Sequence, residues 1–358
     1  MYIGPDHATI PSVNKRTVQE LHFYKEDDRR TIPLLVILFI AVFFISFAIG
    51  RYPVDPLTLV KVLLSRLFPV EKTWSTQVET VVFNIRLPRV LIGAFIGAGL
   101  SLSGLVYQGI FQNPMVSPDV LGSTSGAGFG SALALLWGLG YIPIFSMSFI
   151  FGLLAVFLVL LMSRFVRGQK VLTLVLGGIM ISSLFNAALS FVKLVADTDD
   201  VLPQITYYLI GSLTSTRTVD LAACAIVVTV SSVVLFLIRW QLNVMTLSDE
   251  EAVSLGVDTK TIRLIAIVFA TLMTAVCTAS AGMIGWVGLV IPHLVRMTNG
   301  CDYRKTIPAT LLMGSSFLML VDTVSRTLTT SEIPIGILTS FIGSPFFLYL
   351  IIREGKRT

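Results

Sequence analysis

Residues 282–304 read GMIGWVGLVIPHLVRMTNGCDYR, and this stretch decides the fold. Its apolar first half carries three glycines, which allow helices to pack closely inside a membrane. The Pro292-His293 pair predicts a break, and Arg296 and Arg304 predict a cytoplasmic end, because basic residues concentrate on that side. The stretch therefore predicts a membrane span that ends in a basic cytoplasmic turn.

An imidazole near membrane depth, such as that of His293, is costly and often serves a proton relay or a metal ion. No second histidine or carboxylate stands at ligand spacing from it in the sequence. We therefore interpret His293 as a polar residue at a helix end, and we expect neither a metal site nor a catalytic site.

The composition of the 358 residues extends this prediction to the whole chain. Apolar residues make up 54% and charged residues 13%, and the mean hydropathy is +0.84. Such a chain has several stretches long enough to cross a bilayer and little left for a soluble domain. The formal charge of +5 follows from the positive-inside rule and needs no nucleic-acid partner. The predicted fold class is an all-α polytopic membrane protein.

The order of apolar runs predicts about ten transmembrane helices. Residues 1–31 contain five basic residues and no apolar core, so we expect a cytoplasmic arm rather than a cleavable signal. Residues 32–358 form the membrane domain. Its predicted spans are 32–50, 90–111, 119–138, 142–163, 171–195, 219–239, 261–281, 283–296, 306–325 and 334–352. An even number of spans places both termini in the cytoplasm, where the basic loop clusters also fall.

An internal echo indicates a repeat. SLSG ends at Gly104, ten residues before Pro114, and TASAG ends at Gly282, ten residues before Pro292. The two copies lie in the second and seventh predicted spans, which cross the membrane in opposite directions. This pattern predicts an inverted-repeat core, as transporters often have.

The glycine-rich run at 121–130 resembles a phosphate-binding loop but lacks the closing Lys-Ser/Thr. Gly122, Gly126 and Gly130 recur at four-residue spacing at the start of a span. We interpret them as a helix-packing face, and we expect the chain to bind no ATP and no other cofactor itself.

The segment at 243–260 carries the clearest local signal in the chain. Ser248 and Glu251 have the spacing of a capping box, and Gly256 is placed to end the helix. They predict a short helix over 249–255 outside the membrane, which is either an ordinary surface helix or a contact for a motor subunit. The residues that it is expected to expose are Ala252, Val253 and Leu255.

Several motifs in register resemble one family. They are Arg86-Leu-Pro-Arg89, QNPMVSPDVLG at 112–122, EAVSLG at 251–256, GWVGLVIPH at 285–293, Val321-Asp322 through Arg326, and EIPIG at 332–336. Together they resemble the permeases of type II ABC importers for iron-siderophores, haem and cobalamin.

The resemblance implies a ten-helix permease that works as a dimer with a second copy or a paralogue. Two ATP-binding subunits that use ATP and magnesium would dock at the cytoplasmic face, and an extracytoplasmic binding protein would deliver the ligand. The membrane would be the cytoplasmic membrane of a bacterium or an archaeon. The expected cargo is an iron(III)-siderophore, with cobalamin, haem or, less readily, an oxyanion as alternatives.

The resemblance also implies roles for residues at the two ends of the spans. Arg86, Arg89 and Arg326 would face acidic residues of the binding protein. Alternatively, Asp322 and Arg326, which are four apart, simply pair, and Arg86 holds a lipid headgroup. At the other end, Ser248, Glu251, Ala252, Leu255 and Gly256 would form the ATPase coupling region.

Pathway residues follow from the same resemblance. The inner gate would lie at 168–173, where Val171 and Leu172 make an apolar gate plausible. Tyr207, in a short outer helix at 203–213, lines the route or is an interfacial aromatic. Candidates in the fifth span are Ser182, Ser183 and Asn186, which line the pathway or form interhelical hydrogen bonds.

Two other classes of protein fit less well. A secondary transporter needs carboxylates or ion sites within its spans, and these spans carry almost no charge apart from Asp322, Lys193 and His293 near their ends. An intramembrane enzyme needs a paired constellation such as Ser/His or two Asp, and the spans carry none.

Overall fold

The computed structural model describes residues 30–355 except 51, 53, 67, 70, 167–169 and 215, and these residues form helices and no strand. Residues 1–29 of the arm predicted at 1–31 lie outside the described residues. The prediction of an all-helical protein with several membrane spans is confirmed for the described residues, in which seven helices are long and apolar enough to cross a membrane.

Fourteen helices follow one another in the described part of the chain. They are α1 Thr31–Ala48, α2 Pro56–Leu64, α3 Thr76–Ile110 with a π-helical stretch at Val81–Arg86, α4 Ser123–Leu136, α5 Tyr141–Phe165, α6 Lys170–Val195, α7 Val201–Ile210, α8 Thr218–Leu237, α9 Arg239–Val244, α10 Asp249–Ser254, α11 Thr259–Ala281, α12 Val287–Asn299, α13 Tyr303–Thr327 and α14 Ile335–Gly355. Each of the ten predicted spans coincides with one of these helices. The largest difference is α3, which begins fourteen residues earlier than the predicted span at 90–111.

Helix α3 forms the centre of the bundle together with α11 and α13, since most of these three helices is buried. Less than a third of α1, α5, α6 and α8 is buried, so these helices face outward. Glycine makes the central contacts possible. A Cβ atom on Gly97 would lie 2.2 Å from the carbonyl oxygen of Gly314, and one on Gly104 would lie 1.8 Å from that of Gly288. The central helices therefore approach each other backbone to backbone.

Helices α3 and α11, which carry the two copies of the internal echo, run antiparallel. Tyr107 bonds to Thr271 at 2.7 Å and Ser103 to Thr274 at 3.2 Å, so residue numbers rise along one helix as they fall along the other. This is the relative direction that the predicted inverted repeat requires, whereas the repeat itself stays a prediction.

Two of the three glycines predicted to form a packing face, Gly126 and Gly130, pack α4 against its neighbour, whereas Gly122 precedes α4 with a φ of +80° and lies beside α6. A Cβ atom on Gly126 would lie 2.4 Å from the carbonyl oxygen of Phe151, and one on Gly130 would lie 2.4 Å from that of Met147. Both acceptors belong to α5. The four-residue spacing of the glycines thus lets α4 and α5 touch along their backbones.

The break in the 282–304 stretch lies earlier than predicted. Residues 282–286 are not helical, whereas α12 runs through Pro292 without interruption. A proline removes the hydrogen bond to the carbonyl four residues before it. That carbonyl, of Gly288, accepts instead from the side chain of Gln108 in α3, at 3.4 Å. The neighbouring helix therefore supports the proline, and the non-helical segment is Gly282–Trp286, with φ of +73° and +69° at its two ends.

We call the end of the bundle that carries Arg86 and Asp322 the outer end and the end that carries α10 the inner end, following the predicted orientation. At the outer end, Asp55 caps α2 by accepting from the backbone N–H of Leu57 and Thr58, both at 3.1 Å. This helix accounts for part of the mixed, proline-interrupted segment between α1 and α3.

Candidate functional site

The inner end of the bundle carries the short helix α10, and its cap has the predicted geometry. Ser248 Oγ accepts from the backbone N–H of Glu251 at 3.3 Å, and the Glu251 carboxylate accepts from the backbone N–H of Ser248 at 3.1 Å. Hydrogen bonds from the Ser248 side chain and backbone lower the pKa of Glu251. The helix ends before Gly256, whose φ of +81° suits glycine. The capped helix is therefore confirmed.

The side chains that α10 exposes differ in part from the prediction. Ala252 is fully buried against Val244 and Val257, so the expectation that it is exposed is wrong. A helix of six residues needs an inward apolar contact to stay on the bundle, and this small side chain provides it. Val253 and Leu255, at 60% and 53% exposed, form the apolar surface that a partner can reach.

Three side chains hold this segment against the rest of the bundle. Gln112 Nε2 donates to the carbonyls of residues 247 and 245, at 2.5 and 3.3 Å. Asn243 Nδ2 donates to Asp302 Oδ1 at 2.8 Å. The buried guanidinium of Arg263 bonds to Asp249 Oδ1 at 2.7 Å. The segment is thus fixed to the loop before α4, the loop before α13 and the first turns of α11.

At the outer end, two of the three predicted docking arginines are buried. Arg86 is 4% exposed and donates to the carbonyls of Phe47 and Tyr52, and Arg326 is 7% exposed and donates to the carbonyl of Ser46 at 3.0 Å. The expectation that they face a binding protein from the surface is therefore wrong for this conformation. The last carbonyls of a helix have no partner inside it, and these guanidinium groups supply one at the end of α1.

Arg89, the third of these arginines, joins two carboxylates in what we call the outer charge network. Its Nη2 lies 2.8 Å from Asp322 Oδ1 and 2.7 Å from Glu332 Oε2. Arg326 Nε lies 3.1 Å from Asp322, which confirms the local pairing of residues four apart, and Thr214 donates to Glu332 at 3.0 Å. The network of Arg89, Asp322, Glu332, Arg326 and Thr214 ties α3 and α13 to the loops before α8 and α14.

The predicted inner gate falls partly on α6. Residues 167–169 lie outside the described residues. Val171 is half-buried against the core, whereas Leu172 is 53% exposed. The apolar side chains of this turn therefore lie at the inner end of a helix that is mostly exposed, and the gate stays a prediction.

The polar candidates of α6 lie mainly on its exposed face. Ser183 and Asn186 are exposed, and the Ser183 hydroxyl donates to a carbonyl of its own helix at 2.9 Å. Ser182 is half-buried beside the first turn of α4, where a Cβ atom on Gly122 would lie 2.9 Å from its Oγ. The structure thus places two of the three on a free surface and one against a neighbouring helix.

Two cavities open near the outer half of the bundle. The first, of about 640 Å³, lies between the non-helical segment and α14 and is lined by Met283, Gly285, Ser340, Phe341 and Ser344 among others. The second, of about 500 Å³, is lined by Tyr207, Tyr208 and Tyr141 among others. Tyr207 is 45% exposed, whereas the Tyr208 hydroxyl donates to the carbonyl of residue 279 at 2.9 Å. The first cavity adjoins the exposed face of α14.

Comparison with known proteins decides the family. The sequence profile of the FecCD transport family matches residues 37–353. The chain belongs to the FecCD transport family.

Individual relatives of this FecCD permease carry different names. The molybdate import system permease protein MolB of Haemophilus influenzae is 37% identical over 319 residues, 89% of this chain and 94% of that protein. A Helicobacter pylori protein assigned as an iron chelatin transport system permease is 39% identical over 282 residues, 78% of this chain and 84% of that protein. Both are similar to this chain over most of its length.

A solved structure has the same fold as this FecCD permease. It is an inward-facing ABC transporter assigned to the metal-chelate type, with a TM-score of 0.82 and 36% identity, covering 91% of this chain and 99% of the other. The chain is thus an integral membrane protein and a permease of ABC importers, which work with ATPase subunits and a binding protein.

One buried carboxylate of this FecCD permease was missed in the sequence. Asp220, in the first turn of α8, is fully buried and accepts from the Tyr141 hydroxyl and from the backbone N–H of Arg217 at 2.6 Å. Arg217 lies over the Tyr141 ring, 4.1 Å from its centroid. The sequence signal for this carboxylate is an acidic residue at the start of an apolar run, a position where a carboxylate caps the first turn of the helix.

The polar support of α12 was also missed. Gln108 is 3% exposed, and its side-chain oxygen accepts a hydrogen bond from the guanidinium of Arg296 in α12. Its Nε2 donates to the carbonyls of Gly288 and Leu289 in the same helix. His293 lies in the same helix. Within the described ranges, no group of three or more His, Cys, Asp or Glu is placed to hold a metal ion.

Proposed function

We propose that this permease moves an iron(III) chelate of the siderophore type into the cytoplasm, driven by ATP hydrolysis on separate subunits. The observation that carries the proposal is the neutral wall of the cavity beside Gly282–Trp286, whose lining residues include no charged side chain. A free anion is usually held by arginine, lysine or backbone N–H groups. A chelate satisfies the charge of its metal internally, and so passes a neutral, weakly polar wall more readily.

The relatives support this cargo without deciding it. One relative is assigned to iron chelatin and the solved structure to metal chelates, whereas MolB is named for molybdate. Cobalamin and haem are bulky, coordinated metals for which the same wall is suitable. An oxyanion such as molybdate is the alternative that MolB favours.

The exposed faces of α6 and α14 support a second copy or a paralogue as partner. Four apolar side chains on these faces are each more than half exposed: Leu176, Met180 and Leu184 of α6 and Phe341 of α14. The exposed Ser183 and Asn186 lie on α6 as well. Polar residues on a face that meets only lipid are unfavourable, whereas a dimer axis that encloses a pathway accommodates them. We propose that the pathway lies between these faces.

The inner end supports ATPase binding. The apolar pair Val253 and Leu255 projects from a helix that three side chains fix to the bundle, and two such helices in a dimer would contact two ATP-binding subunits. ATP and magnesium would be held by those subunits. In this arrangement both termini lie in the cytoplasm of a bacterial or archaeal cell, and the pair of Arg89 and Glu332 faces the binding protein. Of the three arginines, Arg89 is the one whose partly exposed partner, Glu332, reaches that surface.

Uptake by cells that lack this chain tests the cargo. We expect uptake of ⁵⁵Fe-siderophore to be lost and to return with the wild-type gene but not with Leu255→Asp, which keeps the pathway and removes the proposed motor contact. Labelled cobalamin, haem and molybdate are measured in the same cells. Loss of any of these with unchanged iron-chelate uptake would overturn the cargo assignment and name the actual one.

A further inference from the structure

A third cavity lies on the lateral surface of the bundle, away from the faces of α6 and α14 between which we placed the pathway. It has a volume of about 460 Å³ and is bounded by α1, α3, α8 and α13, with Phe39, Phe95, Phe236 and Leu311 in its walls. Helices α1 and α8 are mostly unburied, so the cavity opens on the apolar surface that meets lipid rather than beside α6 and α14. We call it the lipid-side groove.

The groove is long enough to accommodate much of an acyl chain. On α13 its lining runs from Ile307 to Ser315, and the eight steps between these residues correspond to about 12 Å along a helix. One leaflet of a bilayer contributes roughly 15 Å to the hydrocarbon core. An acyl chain is therefore the occupant that the length and the apolar lining fit.

Basic residues lie near the inner end of this groove. The guanidinium of Arg239 lies 4.5 Å from the ring centroid of Phe236, a wall residue, and donates to its carbonyl at 2.9 Å. On α13, Arg304 and Lys305 precede the lowest lining residue by two or three positions, and α9, which begins with Arg239, packs on α13. The neighbouring Asp302 carboxylate accepts from Asn243 and from the backbone N–H of Arg304.

A polar group inside the groove provides a second, independent observation. Ser232 lines the wall, and its hydroxyl is buried with no hydrogen-bond partner among the described residues. It lies seven residues before Arg239, about 10 Å along the helix direction. A hydroxyl at this depth is placed to donate to an ester carbonyl, and such carbonyls lie between the acyl chains and the phosphate of a phospholipid.

We propose that the lipid-side groove binds one anionic phospholipid, with an acyl chain between α8 and α13 and its phosphate at Arg239 and Arg304. Basic pockets between transmembrane helices on the cytoplasmic side bind anionic headgroups in this way. Trp240, which is 54% exposed beside Arg239, lies where interfacial aromatics anchor a helix at headgroup level.

Native mass spectrometry of the detergent-solubilised protein, titrated with phosphatidylglycerol or phosphatidylcholine, tests the proposal. We expect tighter binding of one phosphatidylglycerol, and we expect Arg239→Gln with Arg304→Gln to weaken it about 25-fold, since each basic residue contributes about fivefold near an anionic headgroup. Arg164→Gln, at the exposed inner end of α5 and remote from the groove, is the matched control and should change nothing.

A second variant separates the groove from general surface charge. Ser232→Trp fills the groove without changing the charge, and we expect it to reduce binding of phosphatidylglycerol while the protein stays monodisperse with an unchanged melting temperature. Equal affinity of the wild type for both lipids, or equal effects of the double variant and Arg164→Gln, would overturn the proposal. Retained binding in a folded Ser232→Trp protein would overturn the groove as the site.

Discussion

Replacing Arg89 by methionine is the sharpest test of the outer charge network. The guanidinium makes hydrogen bonds of 2.7–3.3 Å to Asp322 and Glu332, and the three side chains are only 13%, 3% and 18% exposed. Removing one partner of a buried ion pair typically costs about 3–5 kcal/mol, because the other charge stays buried. Asp322 keeps Arg326 and Glu332 keeps Thr214, so we expect a loss of about 3 kcal/mol, at the lower end of that range.

The loss is measured as a shift in melting temperature in detergent. For a chain larger than 250 residues, 1 kcal/mol corresponds to about 2 °C, so Arg89→Met should melt about 6 °C below the wild type. Arg89→Lys should fall between them, since an ammonium keeps the charge but not the planar fork that bonds two carboxylates. All proteins are heated at one scan rate, because membrane proteins often unfold irreversibly.

Two controls identify the network as the cause. Arg164→Met removes an exposed arginine at the inner end and should leave the melting temperature unchanged. Adding Glu332→Gln to Arg89→Met should cost less than the sum of the single changes, because both partners of one pair are then gone. A melting temperature of Arg89→Met within about 1 °C of Arg164→Met would refute the reasoning, since a loss of 3 kcal/mol has to appear as a larger shift.

Three further predictions concern packing and coupling. Leu255→Asp should keep the fold but lower copurification of the ATPase subunits, because it places a charge in the exposed apolar pair of α10; unchanged copurification with normal uptake would contradict the coupling role. Gly130→Leu should destabilise the fold by about 3 kcal/mol through its contact with α5, whereas Gly140→Ala, which has open space around it, should not. Arg263→Asp should uncouple ATP hydrolysis from uptake, and adding Asp249→Arg should restore part of the coupling; no rescue in a folded double variant would argue against this ion pair.

The sequence predicted the elements whose causes are local. Apolar runs of sufficient length became helices, and the spacing of Ser248, Glu251 and Gly256 was enough to predict a capped helix, because its hydrogen bonds join residues three apart. The packing face of α4 was also predictable, since small residues at four-residue spacing lie on one side of a helix.

Features that depend on distant residues were not predictable. Pro292 should have broken its helix, but Gln108, 184 positions earlier in the chain, bonds to the carbonyl that the proline leaves without a partner. The burial of Arg86 was not predictable, because the carbonyl of Phe47 that accepts its hydrogen bond lies 39 positions away at the end of α1. Ala252 was expected to be exposed because Val244 at the end of α9 and Val257 after α10, which cover it, come together only in the folded segment.

The non-helical segment Gly282–Trp286 has a mechanical consequence. A helix transmits a force along its axis, whereas the helix axis is interrupted at this non-helical segment. The backbone N–H of Ser212 donates to the carbonyl of Ala281 at 2.8 Å, and that of Gly336 donates to the carbonyl of Gly211 at 3.4 Å. A push that enters α11 at the inner end would therefore be delivered sideways, through this turn, to the start of α14. Helix α11 ends at Ala281, and Met283 and Gly285, which follow it, line the first cavity.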